Sequence, residues 1–217
     1  MAGRVLCLFV CLSASVVGSP TLISKGSSAP ENPDYPFLFY TKEKWGASPP
    51  KYAQPLRTPV PYVVIHHTYI PAACYDVETC MKDMRSMQIY HDSLGWGDIG
   101  YNFCVGSEGG AYEGRGWDTI GIHAGPANNY SIGICLIGDW RVKLPPYEQL
   151  VTTKALISTG INLGKISPHY KLVGHSQAMA TQCPGGALLH EISSWDHYVP
   201  GKPDFTQYKD QGTEIKM

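Results

Sequence analysis

Apolar residues recur along this chain with two different periods. Between Asp76 and Ser93, Val77, Cys80, Met81, Met84 and Met87 fall three and four apart, which makes one apolar face of a helix. Asp76 suits the N-cap, and Glu78 favours the helix start. Such a stripe is core packing, so the methionines are read as core and not as ligands. A second helix follows Leu144-Pro-Pro146 and runs to about Leu163, with Leu150, Val151, Ile157 and Ile161 inward and Gly164 as the stop. A short last helix covers Gly185–Trp195. Strands are predicted over Tyr62–His67, Tyr101–Val105, Ala111–Glu113, Ser131–Ile137 and Lys171–Gly174. Ser107-Glu-Gly-Gly110 reads as a hairpin turn, and Ser131–Ile137, apolar on both faces, as a buried central strand. Trp45 to Pro61 holds five prolines and is an extended arm. The element order predicts an α/β fold: a mixed central β-sheet flanked by about three helices, in one domain over residues 35–199.

The ends read differently. Arg4 followed by the apolar stretch Val5–Val17 and the small residue Gly18 reads as a signal peptide over residues 1–18. The stretch is too short to span a bilayer, and no later segment is apolar for long enough. Residues 19–34, rich in Ser and Pro, form a flexible lead-in, and 200–217 a polar, disordered tail. The expected location is therefore secreted and extracellular. The 217 residues are 43% hydrophobic, with net charge −1 and no basic run, so nucleic acid is not an expected partner. Five cysteines remain beyond residue 18: Cys74, Cys80, Cys104, Cys135 and Cys183. An odd number in a secreted chain calls for a metal ligand or a free thiol. Giving Cys183 to a metal leaves an even set.

Candidate chemistry gathers at His66, Tyr101, His175 and Cys183. Two imidazoles and a thiolate suit zinc, and a site with three protein ligands keeps a position for water, as hydrolases do. His175 ends its strand and Cys183 follows after seven intervening residues, a loop long enough to bring the thiolate back beside the imidazole. His66 and His67 point to opposite faces of their strand, so both cannot serve one ion. Strand logic alone does not choose between them.

The stretches Val64-Ile-His-His-Thr68, Tyr90-His91, Gly95-Trp-Gly-Asp-Ile-Gly-Tyr-Asn-Phe103, Tyr112-Glu-Gly-Arg-Gly-Trp117, Ser131-Ile-Gly-Ile134, Leu136-Ile-Gly-Asp-Trp140, Gly174-His175 and Cys183-Pro-Gly185 together resemble the peptidoglycan recognition proteins, closely the insect LB-type amidases. The resemblance covers about Trp45 to His197. It implies a fold like that of the phage-type lysozyme amidases. It implies Zn2+ held by His66, His175 and Cys183, with Tyr101 and Thr181 as catalytic residues. The implied reaction is hydrolysis of the amide between the lactyl group of N-acetylmuramic acid and L-alanine. The implied partner is bacterial peptidoglycan or its muropeptides, and the implied role is scavenging or negative regulation in innate immunity. The alternative is a non-catalytic peptidoglycan-binding receptor, but family members that only bind usually lack the cysteine, which is present here. The resemblance also implies a Cys74–Cys80 disulfide and leans to diaminopimelate peptidoglycan. The chain departs from the pattern at Ser176, where the family commonly has Arg, and is one residue short between Tyr90-His91 and Gly95-Trp96. The expected oligomeric state is a monomer.

Four further features carry expectations. Cys104 and Cys135 lie in different strands and are expected as buried free thiols. Asn129-Tyr-Ser131 is a glycosylation sequon. Trp96, Trp117, Trp140, Tyr112 and Tyr130 are read as packing residues, available in part for stacking on sugar. Arg115 and Arg141 are either partners for stem-peptide carboxylates or solvated charges.

Overall fold

A computed structural model describes residues 35–205 and residue 207. The expected signal peptide, the lead-in and most of the expected tail lie outside the described residues. The elements are β1 (Phe39–Tyr40), β2 (Val60–His67), α1 (Val77–Ser93), β3 (Phe103–Val105), β4 (Ala111–Glu113), a 3-10 helix (Gly125–Tyr130), β5 (Ser131–Leu136), α2 (Tyr147–Asn162), β6 (Ile166–Gly174), α3 (His175–Ala178) and α4 (Gly186–Ile192). The strands form one mixed sheet in the order β1-β4-β3-β5-β2-β6. Among these strands only β3 and β4 pair antiparallel. The α/β expectation and the central place of Ser131–Leu136 both hold, and every residue of β5 is buried. No helix among the described residues is long and apolar enough to cross a membrane.

The alternation along β2 divides the core. Val63 and Ile65 join Phe103, Ile134, Leu156, Ile157, Leu188 and Ile192 on the face covered by α2 and α4. Tyr62 and Val64 join Ala124, Ala127 and Val173 on the other face. On that second face α1 packs Cys80, Met84 and Met87 against Cys104, Cys135 and Ile137. His66 continues the Tyr62–Val64 row. It stands where the layer under α1 meets the layer under the 3-10 helix.

Three expectations are corrected. Cys104 and Cys135 are not free thiols but a disulfide. β3 and β5 are adjacent parallel strands with Cys104 opposite Cys135 in register, and their Cα atoms are 4.5 Å apart. Val151 does not face the core but is 43% exposed. The inward positions of α2 include Gln149, whose Nε2 donates to the carbonyls of Val105 (2.7 Å) and Ile137 (3.2 Å), so a polar residue fastens the helix to the sheet. Residues 200–205 of the expected tail include Phe205, buried edge-on against Tyr62 at 5.0 Å. Cys74–Cys80 is also a disulfide, as the resemblance implies.

Smaller differences have local causes. β6 begins at Ile166, earlier than the predicted Lys171, and its pairing with β2 jumps from Ile166 to Lys171, so Pro168 sits in an edge irregularity where it is tolerated. Tyr101 precedes its strand. The Asn102 side chain there donates to the Gly116 and Thr119 carbonyls and accepts from Gly133 N, which ties the Tyr101 loop to β5.

Candidate active site

β2, β5 and β6 run parallel, so their carboxyl ends open on one edge of the sheet, the edge where open α/β sheets place ligands. His66 is the penultimate residue of β2, and His175 follows Gly174 at the end of β6. α3 then turns the chain at once. Ser176 N donates to the Cys183 carbonyl at 2.7 Å, which closes the loop and brings the sulfur back beside the imidazoles. Gly185, at φ 93°, packs on the β5–α2 loop, where a Cβ would come within 2.5 Å of the Trp140 carbonyl. One donor atom from each of His66, His175 and Cys183 lies within 4.8 Å of the other two.

The two adjacent histidines separate as strand alternation requires. His66 Nδ1 is 3.8 Å from Cys183 Sγ, and the ring centroids of His66 and His175 are 4.4 Å apart. His67 turns to the other face, where its Nδ1 accepts from Trp140 N at 3.1 Å. The backbone of His67 still serves the site, because its N–H donates to Cys183 Sγ at 3.3 Å.

Burial holds the pKa of His66 well below the usual histidine range, with His175, His123 and His67 acting in the same direction. Burial and His67 bring His175 down to about 4. Both rings are therefore neutral at physiological pH, as ligation requires. Burial pushes the Cys183 thiol up to about 12, against the lowering effect of the His67 N–H. Near neutrality that sulfur releases its proton only when a cation takes the proton's place. Nε2 of His175 is buried and has no hydrogen-bond partner among the described residues. Two neutral imidazoles, an orphaned ring nitrogen and a thiol supported by a backbone N–H fit a zinc ion.

The site opens into a cleft of about 460 Å³ lined by His67, Thr68, Tyr69, Tyr101, Arg141, His175, Thr181, Gln182 and Cys183. The Tyr101 ring packs 5.2 Å from His66 and 5.6 Å from His91. Burial, and then the neighbouring Cys183, raise the phenol above its ordinary range, so its proton stays in place. Thr181 is exposed, and its Oγ1 accepts from Cys183 N at 3.2 Å. Among the described residues the lining contains no carboxylate.

The two arginines part company. Arg115 is buried and spends its guanidinium on backbone carbonyls, of Ile99 at 2.8 Å and Trp96 at 2.7 Å. Arg141 is exposed at the cleft mouth, paired with Asp139 and lying 4.5 Å over the Tyr69 ring. Among the aromatics, Trp117, Trp140 and Tyr112 are core. Trp96 stacks on His91 at 4.6 Å. Asn129 is exposed, whereas the hydroxyl of Ser131 is buried and donates to Ala127 O. His123 was not anticipated from the sequence. It is buried with Nδ1 3.0 Å from His66 Nε2.

The family model for N-acetylmuramoyl-L-alanine amidase matches residues 56–186. The chain belongs to that amidase family. All five predicted site residues fall inside the amidase match. Peptidoglycan-recognition protein LB of Drosophila melanogaster is 51% identical over 160 residues, covering 73% of this chain and 69% of that one. The N-acetylmuramoyl-L-alanine amidase of Mus musculus is 43% identical over 160 residues, covering 72% of this chain; the match spans 30% of that longer protein. Wild-type Drosophila LB superposes with TM-score 0.73 at 50% identity, over 74% of this chain and 95% of that one. A point mutant of the same protein in complex with tracheal cytotoxin gives 0.73 at 49% identity, over 74% and 96%. The LE recognition protein, in complex with tracheal cytotoxin as monomeric diaminopimelic acid-type peptidoglycan, gives 0.73 at 39% identity, over 74% and 95%.

Proposed function

We propose that this chain is a secreted, zinc-dependent N-acetylmuramoyl-L-alanine amidase that cuts the lactyl–L-Ala amide of bacterial peptidoglycan. In this reading it scavenges muropeptides in innate immunity and so limits the response to them. The observation that carries the proposal is the convergence of His66, His175 and Cys183 beneath a cleft that also presents Tyr101 and Thr181. Residues 1–18 serve as the signal peptide. Both disulfides agree with an oxidising compartment. The tracheal cytotoxin complexes of relatives support a diaminopimelate-type muropeptide as substrate.

His66, His175 and Cys183 hold the ion. When bound, zinc supplies an activated water and a Lewis acid for the scissile carbonyl. The chain's own groups do the rest. The protonated Tyr101 hydroxyl donates to the oxygen on which charge develops, a contact worth about 3–4 kcal/mol where such donors have been removed in other enzymes. Thr181 accepts from the Cys183 N–H, which leaves its own proton for the cleft. Arg141, at the rim, is placed to meet a stem-peptide carboxylate.

The test uses purified protein on diaminopimelate-type and lysine-type peptidoglycan, with and without zinc, and mass spectrometry of the products. Free stem peptides beginning at L-alanine are expected only with zinc. Zinc-loaded protein that binds the polymer and releases nothing would instead make it a receptor.

A further inference from the structure

His66 faces two ways. Its Nδ1 lies toward Cys183 Sγ at 3.8 Å, and its Nε2 lies 3.0 Å from Nδ1 of His123. The two rings are perpendicular, with centroids 5.0 Å apart. A ring nitrogen that takes a cation must be bare, so the proton of the neutral imidazole belongs on the other nitrogen. That tautomer persists only where a partner accepts the proton.

The place of His123 is built. Asn128 Oδ1 accepts from the backbone N–H of His123 at 3.0 Å and of Ala124 at 2.7 Å, fixing the turn that enters the 3-10 helix. The ring lies against Gly133 on β5, where a Cβ would come within 2.5 Å of it. It is thus held edge-on to His66 from two sides. His123 Nε2 is buried and has no hydrogen-bond partner among the described residues. The only hydrogen-bond contact of this imidazole among the described residues is with His66. A residue present for packing alone would avoid the cost of burying a polar ring.

We propose that His123 is a positioning residue of the metal centre, which accepts the Nε2 proton of His66 and keeps His66 Nδ1 bare for zinc. This deepens the zinc reading above and rests on it. Loss of such an outer partner costs metal sites about 10–100-fold in affinity.

The experiment measures zinc affinity by competition with a chromophoric chelator, using the purified chain, His123→Leu and His123→Asn. The Leu variant is expected to bind zinc about 10–100-fold more weakly. The Asn variant, whose side-chain oxygen can accept in place of Nδ1, is expected to recover most of the loss. Nitrogen-15 spectra of the zinc-free parent chain read the tautomer directly and need no variant to fold. They should show the His66 proton on Nε2. A proton on His66 Nδ1, or a folded Leu variant with parental zinc affinity, overturns the proposal while zinc binding stands. A parent chain that binds no zinc overturns the zinc reading and this proposal with it.

Discussion

Ser176 N donates to the carbonyl of Cys183 across the turn that follows β6, at 2.7 Å. This one bond brings Cys183 back beside His175 across the loop that separates them. The thiolate's position therefore depends on backbone, and its charge on the metal. Cys183→Ser should keep the loop, because the bond uses no side chain. A serine hydroxyl is a poor zinc ligand at neutral pH. The variant should lose zinc by metal analysis and release no stem peptide, yet still sediment with insoluble peptidoglycan. Turnover at the parental rate would remove Cys183 from the mechanism.

Tyr101→Phe isolates the donor. The ring packs between His66 and His91, and phenylalanine preserves that packing. Zinc content and substrate binding should be unchanged, and kcat should fall about 100–1000-fold. A fall in zinc content would instead make the tyrosine a support for His66.

Zinc affinity should rise with pH. In the metal-free protein the Cys183 thiol stays protonated up to about 12, and ligation needs the thiolate. His175 is already neutral above about 4, and His66 is held well below its usual range. One proton is therefore released per zinc bound, and affinity should climb about tenfold per pH unit between pH 7 and 8.5. Chelator competition at several pH values gives the slope, and a slope of zero would exclude the thiolate.

Acid should destabilise the metal-free fold early. Burial is the main cause that brings His91 and His175 to about 4 and His123 to about 3, while unfolded histidine titrates near 6.5. Below 6.5 the unfolded chain binds more protons than the folded one, so this stability is whole above 6.5 and drains as pH falls toward 4. Each histidine contributes a slope of up to about 1.4 kcal/mol per pH unit in that window. Urea unfolding at pH 7.5, 6 and 5 should show a midpoint that drops throughout. A flat midpoint would mean that the rings are not buried neutral.

Alkylation of unreduced protein in denaturant, followed by mass spectrometry, should label Cys183 and none of Cys74, Cys80, Cys104 and Cys135. Replacing both Cys104 and Cys135 by alanine should cost about 2–5 kcal/mol in denaturant unfolding. Labelling of Cys104 in unreduced protein would mean that the bond does not form.

The parts of this molecule that follow from short-range pattern were legible. The face of α1 and its Asp76 cap follow from spacing, and Asp76 does accept from Thr79 N at 2.8 Å. Counting cysteines singled out Cys183, which is the free cysteine among the described residues. What depends on strand order was not legible. Cys104 and Cys135 pair because β3 lies beside β5 in one register, and no local signal carries register between strands far apart in sequence. Nor did periodicity expose His123. Its environment is set by Gly133 on another element, and the only trace in the sequence was a glycine at the centre of a strand otherwise fully committed to the core. Arg115 reads from sequence as either a carboxylate partner or a solvated charge, because nothing local shows that its guanidinium is taken up by the carbonyls of Trp96, Ile99 and Ile120.

The donors are spread along the chain: His66 is made early, His175 and Cys183 late. They meet only when β6 has docked beside β2. A ribosome that has not yet passed Cys183 therefore holds a chain with no place for the ion. On the proposed zinc reading, metal capture is confined to a molecule whose central strands are already paired, and the ion would act as a seal on the finished sheet and not as a nucleus for it.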